Sequence, residues 1–157
     1  MERRFDQDKV SVVIPTYNQV NFARNTIESV LAQTYKNLEI VLADDCSTDG
    51  TIDILMEFAE RDNRVKLLLS DNNQGIPANF NKAFDAVSGE FVAFLGGDDL
   101  MFPNKVERQV AILKQRPEVV QVIHNMEIFD SETGEKIYSY ADGGRPPLNP
   151  LDWIFPF

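Results

Sequence analysis

Apolar and polar positions follow two rhythms along this chain, and the rhythm switches at short intervals. Residues 9–17, KVSVVIPTY, are a compact apolar, β-branched run broken by a proline. A run this short with little alternation predicts a strand buried on both faces. Residues 21–34, NFARNTIESVLAQT, instead place Phe22, Ile27, Val30 and Leu31 at helical spacing. NLEIVLADD (37–45) returns to the strand pattern. TIDILMEFAERD (51–62) is helical, with Ile52, Leu55, Met56 and Ala59 on one face and Ser47 or Thr48 available as its N-cap. RVKLLLS (64–70) is a third strand, and PANFNKAFDAVS (77–88) a third helix, ended by Gly89. EFVAFLG (90–96) reads as a buried strand, and NKVERQVAILKQR (104–116) as a helix stopped by Pro117. EVVQVIHNMEIFD (118–130) has the apolar content of one long strand, and SETG (131–134) reads as a turn into EKIYSYA.

Strands and helices that alternate in this way predict an α/β fold, a mostly parallel sheet covered by helices on both faces. Right-handed crossovers follow from the handedness of strand twist. Ligands of such sheets bind beyond the carboxyl ends of the strands, near the point where the strand order reverses. Three polar stretches fall at such ends: PTYN after the first strand, DDCSTDG after the second and GGDD after the fourth.

The chain has 157 residues, 43% hydrophobic and 25% charged, which suits one soluble domain with a real core. Its net charge of −10 argues against nucleic acid or an anionic membrane as the main partner. A small anion remains compatible where a cation or backbone N–H groups supply the positive potential. The single cysteine, Cys46, excludes an intrachain disulfide. No apolar run approaches the roughly 20 residues of a membrane span, and the charged start MERRFDQDKV lacks the apolar core of a secretory signal. The expected address is the cytoplasm, with peripheral attachment to a membrane left to regions outside this chain. The end of the chain, GGRPPLNPLDWIFPF, carries Trp153, Ile154, Phe155 and Phe157, an apolar cluster expected to pack on something.

Two acidic pairs carry the chemistry. Asp98 and Asp99 follow an apolar strand and two glycines. Neighbouring carboxylates repel, and partial desolvation adds to the cost; a divalent cation relieves both. Hard oxygen ligands suit Mg²⁺ or Mn²⁺, which bind to one or two carboxylates together with phosphate oxygens and water. Gly96 and Gly97 keep the approach open. Asp44 and Asp45 end the second strand, where a carboxylate accepts an N–H of a nucleobase or simply caps a loop. Tyr17 offers a ring for a base, and Thr16 and Asn18 offer polar groups.

VSVVIPTYNQ, SVLAQTYKNLEIVLADDCSTDGT, NQGIPANFNKAF and GEFVAFLGGDDLMFPNKVERQV, in this order, resemble the family 2 glycosyltransferases of GT-A fold. The resemblance covers residues 9–130, the donor-binding core, within a single domain over 1–157. Residues 131–157 are then the start of an acceptor-binding region or a docked tail. The resemblance implies a Rossmann-like nucleotide-sugar-binding domain and metal-dependent, inverting transfer of a sugar from a UDP-sugar. The acceptor would be a glycan or a lipid-linked acceptor, as in polysaccharide biosynthesis. Carried over by position, Pro15, Thr16 and Tyr17 flank the base, with Tyr17 stacking on it. Asn18, Asn81 and Gly97 belong to the same pocket, Asp45 accepts the base N–H, and Asp44 supports that loop. Asp98 lies near the ribose or sugar, and Asp99 binds the metal, Mn²⁺ or Mg²⁺, of the family's DXD motif.

Three positions depart from the family's pattern. Gly96 stands where many members have Asp, Phe80 where many have a diphosphate-binding Arg, and Cys46 where Gly is frequent. The family's catalytic base lies in the acceptor-binding half, expected beyond Phe157. Glu127, Asp130, Asp142 and Asp152 are carboxylates within reach of that role, but no pattern singles one out. His124 and Cys46 lack the surroundings of a Cys-His enzyme. A dinucleotide-binding oxidoreductase would need G-x-G-x-x-G after the first strand, where IPTYNQVNF has none. A phospho-receiver domain would need its acidic pair after the first strand.

Overall fold

The computed structural model describes residues 4–139. Asp142, Asp152 and the apolar end of the chain lie outside the described residues. The chain divides into two compact units, Met1–Pro117 and Glu118–Phe157. The first holds β1 (Asp6–Thr16), α1 (Ala23–Leu31), β2 (Leu38–Asp44), α2 (Thr51–Arg61), β3 (Val65–Leu69), α3 (Ile76–Asp85), β4 (Gly89–Phe94) and α4 (Lys105–Gln115). The second holds β5 (Glu127–Phe129) and β6 (Lys136–Ser139).

The sheet of the first unit has the order β3-β2-β1-β4, with every neighbouring pair parallel. The two faces of β1 and β2 divide the core. Val10, Val12 and Ile14 of β1, with Leu38, Ile40 and Leu42 of β2, pack against Ile27 and Val30 of α1, Leu55 and Phe58 of α2, and Val106 and Val110 of α4. Val13, Val41 and Ala43 face the other way, onto Ala83 of α3 and Val87. The reversal has a physical cause. Winding from β1 to β2 to β3 and then back past β1 to β4 changes direction, so a right-handed crossover puts α3 on the opposite face. The switch lies between β1 and β4, where a parallel sheet opens a crevice.

Four local expectations change. Neither Ser47 nor Thr48 caps α2: the N-cap is Gly50, at φ 99°, and the Thr51 N–H is taken by Asp49 Oδ1 at 2.9 Å. The buried face of α2 is Thr51, Leu55 and Phe58, which stand three and four residues apart, with Met56 exposed. α3 ends at Asp85, and Gly89 opens β4. A Cβ on Gly89 would sit 2.6 Å from the Lys9 carbonyl oxygen, so close backbone approach, not helix termination, requires glycine there. The long strand expected over 118–130 is reduced to Glu127–Phe129. Its apolar residues Val120 and Ile123 are exposed, and no described strand pairs with them. Apolar β-branched sequence makes a strand only where a ladder partner is present. Glu127–Phe129 has one, since β5 pairs antiparallel with β6 across the expected turn.

Among the described residues β4 is the last strand of the sheet, and it is less buried than its sequence suggests. Phe94 is exposed and gathers the rings of Phe80 and Phe84, at centroid distances of 4.7 and 6.4 Å.

Candidate active site at the carboxyl edge of the sheet

All three polar stretches meet the rim in parallel register. Thr16, the last residue of β1, pairs with Asp44, the last of β2. The loop after β1 is stitched to the loop after β2. Asn18 stands at φ +52°, a left-handed conformation that asparagine tolerates. Its N–H donates to Ser47 Oγ at 2.8 Å, and its Oδ1 accepts the Thr48 N–H at 2.9 Å. The Gln19 N–H reaches Thr51 Oγ1 at 2.8 Å, and the Val20 N–H reaches Asp49 Oδ2 at 3.0 Å. These bonds fix the backbone on either side of Tyr17, whose ring stays 49% exposed at the rim. Cys46 also has a positive φ, 67°, which explains why glycine suits that position.

Asp44 is fully buried and fully engaged. Its oxygens accept the Thr16 hydroxyl at 2.9 Å, the Ser47 hydroxyl at 2.6 Å and the Ser47 N–H at 2.8 Å. Thr16 is buried as well, and its carbonyl accepts the Asp45 N–H at 3.0 Å. Thr16 and Asp44 therefore brace the rim from beneath, and Pro15 continues β1 opposite Ala43. Asp45 is 3% exposed, and its two oxygens accept the Gln74 N–H at 2.9 Å and the Gly75 N–H at 2.8 Å. It ties the loop before α3 to the end of β2. A carboxylate has about four lone-pair sites, so two bonds do not exhaust it.

The second pair is different. Asp98 and Asp99 are exposed on a tight turn, closed by the Asp99 N–H on the Gly96 carbonyl at 3.1 Å. Asp98 Oδ1 and Asp99 Oδ2 both lie 2.9 Å from the point a Cβ on Gly96 would occupy. Two carboxylate oxygens thus converge above Gly96, and a side chain at 96 would displace them. Partial burial, then the neighbouring Asp98 charge, push the Asp99 carboxyl above its ordinary range, while the Gly96 backbone and Lys105 pull the other way. Gly97 is small for another reason. A Cβ there would come within 1.9 Å of Gln19 Oε1 and 2.9 Å of Thr16 Cγ2. Among the described residues no group of three or more His, Cys, Asp or Glu is placed to hold a metal ion. The Asp98–Asp99 pair fits a cation that takes its remaining ligands from a bound diphosphate and water.

The family model for glycosyl transferase family 2 matches residues 11–149. The chain belongs to this family. It is 41% identical over 142 residues to an uncharacterized glycosyltransferase of Nostoc sp., covering 90% of this chain and 43% of that protein. Among solved structures, S. aureus TarS 1-349 in complex with UDP-GlcNAc superposes with a TM-score of 0.65 at 30% identity, over 69% of this chain and 32% of that one. The mannosyltransferase PcManGT from Pyrobaculum calidifontis, in complex with GDP-Man and Mn²⁺, gives a TM-score of 0.55 at 29% identity, over 58% of this chain and 28% of that one. The fold of the first unit is accordingly the GT-A fold. The chain spans less than half the length of curated family 2 relatives such as the Nostoc protein.

The remaining candidates separate. Asn81 lies on the exposed side of α3, away from the buried Asn79 and Ala83. In the second unit, Asp130 Oδ1 accepts the N–H groups of Thr133 and Glu132, at 2.8 and 2.9 Å, and these bonds hold its carboxyl below the ordinary range. That is a turn-forming carboxylate and a weak base. Glu127 pairs with Lys136 at 3.4 Å, and exposed His124 contacts the Asn125 carbonyl. Lys105, the first residue of α4, is a charged neighbour of the acidic turn that the motifs do not single out. Burial lowers its ammonium below the ordinary range while the Asp99 charge opposes that shift. Its place six residues after Asp99, at a helix start, was the available signal. No helix among the described residues is long and apolar enough to cross a membrane.

Proposed function

We propose that this chain binds the nucleoside-diphosphate sugar donor, a UDP-sugar, at the β1–β4 switch point, and that the protein transfers the sugar with inversion to a glycan or lipid-linked acceptor. The observation that carries the reading is the convergence of the Asp98 and Asp99 oxygens over Gly96 at the carboxyl end of β4, in a chain of glycosyl transferase family 2. The UDP-GlcNAc complex of TarS and the GDP-Man and Mn²⁺ complex of PcManGT support it, since both are relatives by fold and sequence.

In this reading Tyr17 stacks on the base, and Asp45 accepts its N–H with a lone pair left over from Gln74 and Gly75. Pro15, Thr16, Asn18 and Asp44 hold the rim in place. Asp99, with Asp98, holds Mn²⁺ or Mg²⁺, which when bound offsets the negative charge that develops on the diphosphate. The acceptor hydroxyl oxygen forms a bond to the anomeric carbon as the bond from that carbon to the diphosphate oxygen breaks. The hydroxyl proton passes to a base in the acceptor-binding half. Gly97 contributes by leaving room for Gln19 and Thr16, and Asn81 belongs to the pocket by the family resemblance alone.

The test is calorimetric titration of UDP with and without Mn²⁺. Asp99→Asn removes one charge at constant size and is expected to weaken UDP binding in Mn²⁺ at least tenfold. Uridine binding should stay within twofold. Equal UDP affinity in Asp99→Asn and the parent would refute the metal assignment.

A second reading is favoured by the share of relatives that the chain spans, 43% of the Nostoc protein. In it these 157 residues bind donor and transfer no sugar on their own. Sugar transfer by this chain at the rate of a protein of the relatives' full length would refute it.

A further inference from the structure

The acidic turn is held from below by a buried polar stripe on α1 and the residues just after it. Thr26, Ser29 and Gln33 stand three and four residues apart, on the α1 side that meets the segment leading into α4. Thr26 is 1% exposed, and its hydroxyl donates to the Gly97 carbonyl at 3.0 Å, a closer partner than the Phe22 carbonyl of its own helix at 3.3 Å. Ser29 Oγ accepts the Met101 N–H at 3.1 Å. Gln33 is fully buried. Its Nε2 donates to the Phe102 carbonyl at 2.8 Å and the Ser29 carbonyl at 3.2 Å, and its Oε1 accepts the Val106 N–H at 3.2 Å.

The last bond is a helix cap supplied from elsewhere. Asn104 is the N-cap of α4 and makes no side-chain capping bond. Gln33 satisfies the orphan N–H of the second helical residue in its place. Thr34 extends the contact through its N–H on the Pro103 carbonyl at 2.8 Å and its hydroxyl on Glu107 at 2.8 Å. The anchored backbone positions are Gly97 on one side of the carboxylates and Met101 and Phe102 on the other. Only Asp98, Asp99 and Leu100 lie between, all exposed.

We propose that Thr26, Ser29 and Gln33 are positioning residues for the acidic turn, and set the geometry in which Asp98 and Asp99 meet a cation–diphosphate complex. The contacts run from side chains of α1 and of the residues just after it to backbone between Gly97 and Val106, so the two ends of the turn are held whatever side chains it presents. A buried polar group of this kind is costly unless paired, and both polar atoms of the Gln33 amide are paired, through three hydrogen bonds. The inference rests on the metal reading of Asp99 for its functional half. Its structural half stands on the hydrogen bonds alone.

The test uses the 157-residue chain. Thr26→Val keeps volume and removes the hydroxyl, Thr26→Ser restores it, and Gln33→Met removes the clamp on α4. Thr26→Val is expected to lose at least fivefold in affinity for UDP with Mn²⁺, with uridine affinity within twofold. Thr26→Ser should recover the parent value, a rescue that general loss of packing would not give. In Gln33→Met, amide exchange at Val106 should accelerate at least tenfold relative to Val41 in the sheet centre. Unchanged Val106 exchange, or Thr26→Val binding UDP and Mn²⁺ like the parent, overturns the proposal. If Gln33→Met fails to fold, the Thr26 pair decides it. A parent chain that binds UDP equally with and without Mn²⁺ refutes the metal reading and the positioning role together. The Val106 exchange then reports separately whether the clamp exists.

Discussion

Two Asp-Asp pairs end two neighbouring regions of one sheet rim, and they have opposite physical lives. Asp44 and Asp45 close a central strand and are buried, with side-chain oxygens that accept five hydrogen bonds between them. Asp98 and Asp99 follow the outermost strand among the described residues, stand exposed, and turn two oxygens over a glycine. The dipeptide is the same. What differs is the number of N–H and O–H donors that the surrounding loops bring to it. A buried carboxylate supplied with donors is a structural joint, and one crowded by its twin carries an uncompensated repulsion.

The largest expected effect comes from breaking the joint. Asp44→Ala strands the Ser47 N–H and hydroxyl in a dry site, leaves the Thr16 hydroxyl only the Ala43 carbonyl at 3.4 Å, and should cost about 3 kcal/mol or more of unfolding free energy. Asp99→Ala, by contrast, should stay within about 0.5 kcal/mol of the parent, as exposed substitutions do. Urea unfolding of both measures the contrast, and comparable losses would dissolve it.

Asp45 sits between these extremes. Asp45→Ala is expected to cost about 1–2 kcal/mol, because the Gln74 N–H that it frees lies near solvent. It should also weaken uridine binding with no dependence on Mn²⁺. A loss confined to Mn²⁺-dependent UDP binding would move Asp45 from the base to the phosphates.

The smallest effect sharpens the comparison from the opposite end of β2. Burial pushes the Glu39 carboxyl up, but hydrogen bonds from the Ser11 hydroxyl and from the Ser88 N–H and hydroxyl, together with Lys9, outweigh burial and hold it below its ordinary 4.5. A lowered folded value means stability that is present above the unfolded value and lost as pH falls through the folded one. Between pH 5 and 3 the parent should therefore lose more stability than Glu39→Gln, as read from urea midpoints. Parallel pH profiles would show that the Glu39 network contributes nothing as an ion.

The alternation of apolar runs and helical spacing determined the class of fold by itself, because a parallel sheet between helices is the packing that buries both patterns. The chain positions of PTYN, DDCSTDG and GGDD determined that they share a rim, since every strand of a parallel sheet ends on the same side. Tertiary structure alone decided the rest. Residues 118–126 have a strand's composition but only Glu127–Phe129 beyond them is a strand among the described residues, and pairing is not a property of the run. Gly89 looks like a helix terminator and is a close approach to Lys9, which only the neighbouring strand reveals. Gln33 is one polar residue near the end of a helix until Phe102 and Val106 come within hydrogen-bonding distance of it. Sequence carries local preference and order along the chain; which donors meet which acceptors across 73 residues of separation is set when the helices pack.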